Sequence, residues 1–220
     1  MKSIQGVSLP RSGHNLLVKH LQSYFGSRDM CRGPRGPRLS LPFLPRAARS
    51  VTSSLPSSRN RFHYCEYYYS CRCRPCRDPN NRFQKSHDFK LGLPVESGRK
   101  YIVQIRDAAG MMISWFELRL SKGREKDTVD GFRDFMRRQF DYRNGFVQKW
   151  VQQDIDQRLI LDYDDYLCRP AEQFSQVVMF FDPEHRIDQQ AVRSIVKDVR
   201  PARIVNQFRY YEALLDEVGI

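Results

Sequence analysis

"VSLPRSGHNLLVKHL", residues 7–21, decides how the rest of the chain is read. A short apolar run meets Pro10-Arg11-Ser12-Gly13, and an apolar-periodic segment begins at once. That is the layout of a strand, a tight anion-cradling turn and a helix, with backbone N–H groups at the helix start aimed one way. It departs from the usual phosphate loop, G-x-x-x-x-G-K-[ST]. Gly6 and Gly13 stand too far apart, and His14-Asn15 occupy the place of Lys-Ser/Thr. Arg11 adds a fixed cation able to hold an oxyanion through paired hydrogen bonds. Taken alone, the stretch also fits an ordinary strand-to-helix turn with a surface arginine.

The bulk numbers narrow the classes. At 220 residues, 40% hydrophobic and 12% aromatic, the chain suits one globular domain over residues 1–220 and is not a disordered chain. A formal net charge of +12 calls for an anionic partner, which nucleic acid, a membrane surface, an acidic glycan or a phosphorylated cofactor would each satisfy. No apolar run approaches the roughly 20 residues of a membrane span, so no stable membrane insertion is expected. "MKSIQGVSLP" is too short and polar for a secretory signal and reads as a first strand. The expectation is a cytoplasmic protein whose six cysteines stay mostly reduced.

Further strands are expected at 61–69, 82–90, 100–107 and 158–166, the third a continuous apolar run of the buried parallel type. Helices are expected over 13–25 and 108–120. A long amphipathic stretch follows, reading as two segments around Asn144-Gly145, and then helices from Pro170 to Phe181, near 189–199 and near 208–218. Strands alternating with helices predict an α/β, three-layer, P-loop-like domain with a central, mainly parallel β-sheet flanked by helices. Residues 26–61 interrupt it. They are crowded with Arg, Pro, Ser and Gly and read as a basic insertion. In parallel sheets ligands bind outside the carboxyl ends of the strands, and every polar cluster below falls at such an end.

One cluster is "IVQIRDAAGMMISWFEL", with Arg106 at the end of the buried strand and Ser114 eight residues later on the next helix. The two can converge on one phosphate, although a helical serine can instead bond back to its own helix. Another is "QKSHDF". Lys85 and His87 are two apart on a strand, so both side chains emerge on one face as a charge stabiliser and a proton acceptor near neutral pH.

Pro10-Arg11-Ser12-Gly13 before a helix, then Lys85-Ser86-His87, then Arg106-Asp107 with Ser114, resembles the PAPS-dependent sulfotransferases, PAPS being 3′-phosphoadenosine 5′-phosphosulfate. "LILDYDDYLCRPAEQFSQVVMFF" is similar to a later strand and helix of that family, with Asp164 and Arg169 as departures. The resemblance implies PAPS as donor with no metal required, and a hydroxyl acceptor, a saccharide or small molecule, with no nucleic acid. It implies that Arg11 and the backbone N–H groups of Ser12, Gly13, His14 and Asn15 hold the 5′-phosphosulfate. Arg106 and Ser114 would hold the 3′-phosphate, and Tyr163 would lie near the adenine. His87 would take the acceptor's proton while Arg11 and Lys85 stabilise charge, with Glu66 as the second candidate for the base. The family's C-terminal Arg-Lys-Gly clamp is missing; Arg200 and Arg203 are weak substitutes for it.

His63, Cys65, Cys71, Cys73 and Cys76 leave zinc, disulfides or free thiols open, and no metal ligand is assigned. The basic insertion fits a solvated loop, an acceptor lid for an anionic glycan or non-specific nucleic-acid binding. Two rival functions stand beside the first: a P-loop kinase-like phosphotransferase, and a zinc-containing nucleic-acid-binding module.

Overall fold

Ile102 and Val103 are neighbours in one apolar run, yet they end in different cores. Successive strand residues point to opposite faces, so a run that is apolar on both must be covered on both sides. In the computed structural model, which describes residues 4–26, 63–66 and 81–199, that run is the strand Tyr101–Ile105 inside a five-stranded sheet.

The strands are β1 (Ile4–Ser8), β2 (His63–Glu66), β3 (Asn81–Ser86), β4 (Tyr101–Ile105) and β5 (Arg158–Asp162). Their order is β2-β3-β1-β4-β5, and every pairing is parallel. The chain leaves β1 in one direction to build β2 and β3, then crosses to build β4 and β5 on the other side. β1 is therefore the switch point, where an open α/β sheet leaves a crevice at its C-terminal edge.

Tyr101 and Val103 face a core completed by α2 (Ala108–Leu120) and α3 (Val129–Val147), including Met111, Met112, Phe116, Phe132 and Phe135. Ile4, Phe83 and Ile102 face the other core, with Leu17 and Leu21 of α1 (His14–Phe25) and Phe174, Val177 and Phe181 of α5 (Pro170–Phe181). Between them comes α4 (Tyr163–Cys168), and α6 (Gln189–Asp198) follows. This is the three-layer α/β fold anticipated from the alternation of elements.

The expected strand at 158–166 stops at Asp162, because its side chain accepts the N–H groups of Asp164 and Asp165 and opens α4 there. Asp164 and Asp165 then suit the positive end of the helix. Likewise the strand expected over 82–90 ends at Ser86. The break expected at Asn144-Gly145 does not occur. α3 runs through it into a π-helical turn, Gln148–Gln152. Gly145 is a close-approach site, where an added Cβ would stand 2.6 Å from Leu91 Cδ1. The expected helix near 208–218, Arg200, Arg203, the cysteines at 71, 73 and 76, and the insertion beyond Gly26 lie outside the described residues.

The π-turn holds the segment after β3. Asp88, buried and at φ 45°, accepts Lys149 Nζ at 2.8 Å and Trp150 Nε1 at 3.0 Å, and its other oxygen accepts Leu93 N–H at 2.8 Å. Lys149 also donates to the carbonyls of Leu91 and Leu93. π-turns are rare and often mark functional regions; this one brings two donors from consecutive residues to one carboxylate. Asp88→Ala would leave an ammonium and an indole N–H without their acceptor. The expected loss is about 3 kcal/mol of stability by urea denaturation. A loss under about 1 kcal/mol would show that the clamp carries little of the fold.

Candidate active site

Because the strands are parallel and nearly in register, β1, β3, β4 and β5 deliver their following residues to one edge. There a cavity of about 810 Å³ is lined by the loop after β1, by Lys85 and His87, by Arg106 and by Tyr163.

The loop is held from below. Ser12, 1% exposed, donates its hydroxyl to the Leu9 carbonyl at 2.6 Å and to the Gln104 carbonyl at 3.2 Å, while Gln104 Nε2 donates to the Ser12 carbonyl at 3.3 Å. The Ser12 N–H turns back to Leu9 as well, at 3.4 Å. Ser12 is thus a staple on β4, and neither its hydroxyl nor its N–H opens to the cavity. Arg11 and Gly13 take left-handed φ of 64° and 79°. Gly13 is required twice, since a Cβ there would also meet the Tyr163 ring at 2.4 Å.

Gly13 starts α1 with no side-chain cap, and the first turn holds no acid. By contrast Asp107, Thr128, Asp162 and Asp188 cap α2, α3, α4 and α6. The first N–H groups of a helix have no intrahelical partner, so those of His14 and Asn15 stand ready for an anion at the cavity wall.

Cations surround this end. Arg11 Nε donates to Ser114 Oγ at 3.0 Å, which ties Ser114 to Arg11 and not to Arg106. Buried Lys85 donates to Asn15 Oδ1 at 2.6 Å. Arg106 lies 4.9 Å over the Tyr163 ring, and its buried Nε, which no hydrogen bond satisfies, stands 3.5 Å from Asp107 Oδ2 as an ion pair. Such an orphaned donor beside an uncapped helix start fits an anionic ligand. Glu66 ends β2 in register with Lys85; its side chain lies outside the description. The structure thus brings Arg11, Gly13, His14, Asn15, Lys85, His87, Arg106 and Tyr163 to one cavity.

His87 Nδ1 lies 3.0 Å from both the carbonyl and the hydroxyl of Ser8, and Tyr142 donates its hydroxyl to the His87 carbonyl at 2.7 Å. Burial raises the Tyr142 phenol well above its usual range, aided by the charge of Asp88, so it remains a donor. His14 is held neutral, first by burial and then by the charges of Lys85 and His87.

Sequence reading missed the outer half of the cavity. Phe89 lies 5.2 Å from His87, 5.9 Å from Trp115 and 5.8 Å from Tyr142, ring centre to ring centre. Lys122, Arg124 and Arg138 line the same space, and no carboxylate lines it among the described residues. Trp115 beside Ser114, and Tyr142 one turn from Arg138, were the available signals, but both resemble core positions of amphipathic helices. Among the described residues no group of three or more His, Cys, Asp or Glu side chains comes together as a metal site.

The model of the sulfotransferase domain family matches residues 7–209. The chain belongs to the sulfotransferase family. No curated protein matches it. Among solved structures, the mouse sulfotransferase SULT7A1 complexed with PAP is similar in fold, with a TM-score of 0.58 and 14% identity, covering 99% of this chain and 82% of that one. As a member of this family, the chain is an enzyme of sulfuryl transfer.

A pH dependence of this sulfotransferase follows from its buried imidazoles. Burial lowers the pKa of His14 and of His20 from 6.5, the latter against a partly opposing bond to the Val199 carbonyl. The unfolded chain therefore binds protons that the folded one refuses, and stability falls as pH drops below 6.5. Thermal melting should be flat from about pH 8 to 7 and decline from about pH 6.5 to 5.5. A melting temperature that rises over the lower interval would contradict the neutral imidazoles.

Proposed function

We propose that this sulfotransferase transfers the sulfuryl group of PAPS to a hydroxyl of a saccharide. One observation carries the reading: the uncapped start of α1, flanked by Arg11, Lys85 and Arg106, meets an aromatic shelf at His87. PAPS supplies an activated sulfuryl group on a phosphate leaving group. The N–H groups of Gly13, His14 and Asn15 and the Arg11 guanidinium would hold the 5′ end. Arg106, with its orphaned Nε, would pair with the 3′-phosphate. Ser114 would act at the 5′ end, by holding the Arg11 guanidinium in place.

In the reaction the acceptor oxygen forms a bond to sulfur as the sulfur–oxygen bond to phosphate breaks. His87 Nε2 takes the hydroxyl proton, and Arg11 and Lys85 stabilise the negative charge that moves onto the departing oxygen. Phe89, Trp115 and Tyr142 offer faces on which a sugar ring can lie, and Lys122, Arg124 and Arg138 at the lip favour a saccharide with acidic groups. Transfer of labelled sulfate from PAPS to acidic oligosaccharides, neutral oligosaccharides and simple phenols would test the acceptor. Labelled phenols alone would refute the saccharide.

Calorimetry with 3′,5′-adenosine bisphosphate, AMP and ATP, all without metal, tests the donor site. The bisphosphate should bind best, and equal or absent binding would refute PAPS as donor. Arg106→Ala should weaken the bisphosphate by about 1.5–3 kcal/mol and AMP little, because only the bisphosphate offers the partner phosphate. Equal weakening of both would make Arg106 structural.

His87→Ala should lower turnover by roughly 10²–10⁴-fold while bisphosphate affinity stays close to that of the parent. Undiminished turnover, together with an inactive Glu66→Gln, would transfer the role of base to Glu66.

A further inference from the structure

Ser8, the last residue of β1, is fully buried on the α1 face of the sheet, and its hydroxyl joins two histidines. Ser8 Oγ lies 2.5 Å from His14 Nδ1 and 3.0 Å from His87 Nδ1, and the Ser8 carbonyl is also 3.0 Å from His87 Nδ1.

The proton positions follow from what each atom can do. A carbonyl oxygen only accepts, so His87 Nδ1 must carry the hydrogen. In the neutral ring Nε2 is then the nitrogen that accepts a proton. Ser8 Oγ shares the incoming His87 N–H, so its own hydrogen goes to the remaining neighbour, His14 Nδ1. The hydrogen of His14 must then sit on Nε2. That nitrogen is buried with no hydrogen-bond partner. It presses on Gly6, where a Cβ would come within 2.8 Å, and the ring meets Phe83 edge-on at 5.7 Å. A glycine in the middle of this buried strand makes room for two rings, since an added Cβ would also stand 2.2 Å from Phe83 Cζ.

We propose that Ser8 and His14 are positioning residues for the base, a one-way chain of hydrogen bonds from His87 through Ser8 to His14 that keeps His87 Nε2 as the proton acceptor. The proposal rests on His87 as the base. When Nε2 takes the proton, the Nδ1–H already faces two oxygens of Ser8, and no dipole has to turn. His14 does not compete for that proton, because burial and its cationic neighbours keep it neutral. Among the described residues, the charged and titratable groups near the pair include Lys85 of β3, Arg11 of the loop and Tyr142 of α3, while Asp88 is directed at Lys149 and Trp150. A hydroxyl between two imidazoles can run either way, and the Ser8 carbonyl on His87 Nδ1 fixes which.

Long-range ¹H–¹⁵N spectra of the full chain read the tautomers directly, with His14→Asn and His87→Ala assigning the two rings. In the parent, neutral His87 should carry its hydrogen on Nδ1. His14 should carry its own on Nε2 and remain neutral below pH 6.5, where an unburied imidazole takes up its proton. Ser8→Ala removes one acceptor from the His87 cation, so its midpoint should fall, and it removes the donor to His14 Nδ1, so a mixture of His14 tautomers should appear. Turnover of that variant should drop roughly tenfold with bisphosphate affinity within about twofold. His14→Asn, which keeps an acceptor near the position of Nδ1, should preserve the His87 midpoint, whereas His14→Leu, which leaves the Ser8 hydroxyl hydrogen without its acceptor, should lower it. His87 found as the Nε2–H tautomer in the parent, or both rings unchanged in Ser8→Ala, would overturn the proposal. If those spectra are unchanged while His87→Ala is inactive, the base stands and the chain falls. If the spectra match while His87→Ala stays active, the chain stands as structure and the positioning role falls with the base.

Discussion

Everything at the cavity depends on one buried serine. Ser12 ties the loop to Leu9 within its own turn and to Gln104 at the end of β4, and Gln104 returns the bond. With its hydroxyl so engaged, the loop has one seating between the two central strands. That seating forces Arg11 and Gly13 into left-handed backbone and aims α1 at the cavity. Left-handed backbone in a non-glycine residue persists only where its surroundings over-determine it. Here the restraints are the Ser12 staple on one side and the Arg11–Ser114 bond on the other.

The acids near the site are each engaged in holding the fold. Asp88 is held by Lys149 and Trp150, Glu125 by Arg119 and Arg138, and Asp107 caps α2 through the Gly110 N–H. Each carboxylate has a structural task that turns it from the cavity, so its field is set by arginine and lysine. An anion entering such a cleft meets a wall whose charged groups are basic throughout its described lining. The high net charge of the chain thus has a location as well as a sign.

Sequence and structure part company where a residue's local signal concealed a distant contact. Asn144-Gly145 reads as a break, yet the glycine gives way to Leu91, some fifty positions earlier in the chain. Tyr163 reads as part of a strand, but the Asp162 cap makes it the first residue of a helix and lays its ring on Gly13 and under Arg106. Ser12 reads as part of the phosphate cradle and is a staple. Ser114 reads as a partner of Arg106 and is bonded to Arg11. In each case the residue lies in the expected neighbourhood and serves a different neighbour.

The sequence by itself determined the layers and the edge at which the site lies. Apolar runs such as residues 101–105 admit only a sheet covered on both faces, and the parallel order sends the loop, Lys85, His87 and Arg106 to one side. These follow from periodicity and chain direction, which are local and additive along the chain. Tertiary structure alone decided the tautomer-setting contacts of Ser8 and His14, the aromatic shelf of Phe89, Trp115 and Tyr142, and the clamp on Asp88. Those depend on distances between residues that different elements carry. Such distances exist only once the two cores have packed and the strands have taken their register.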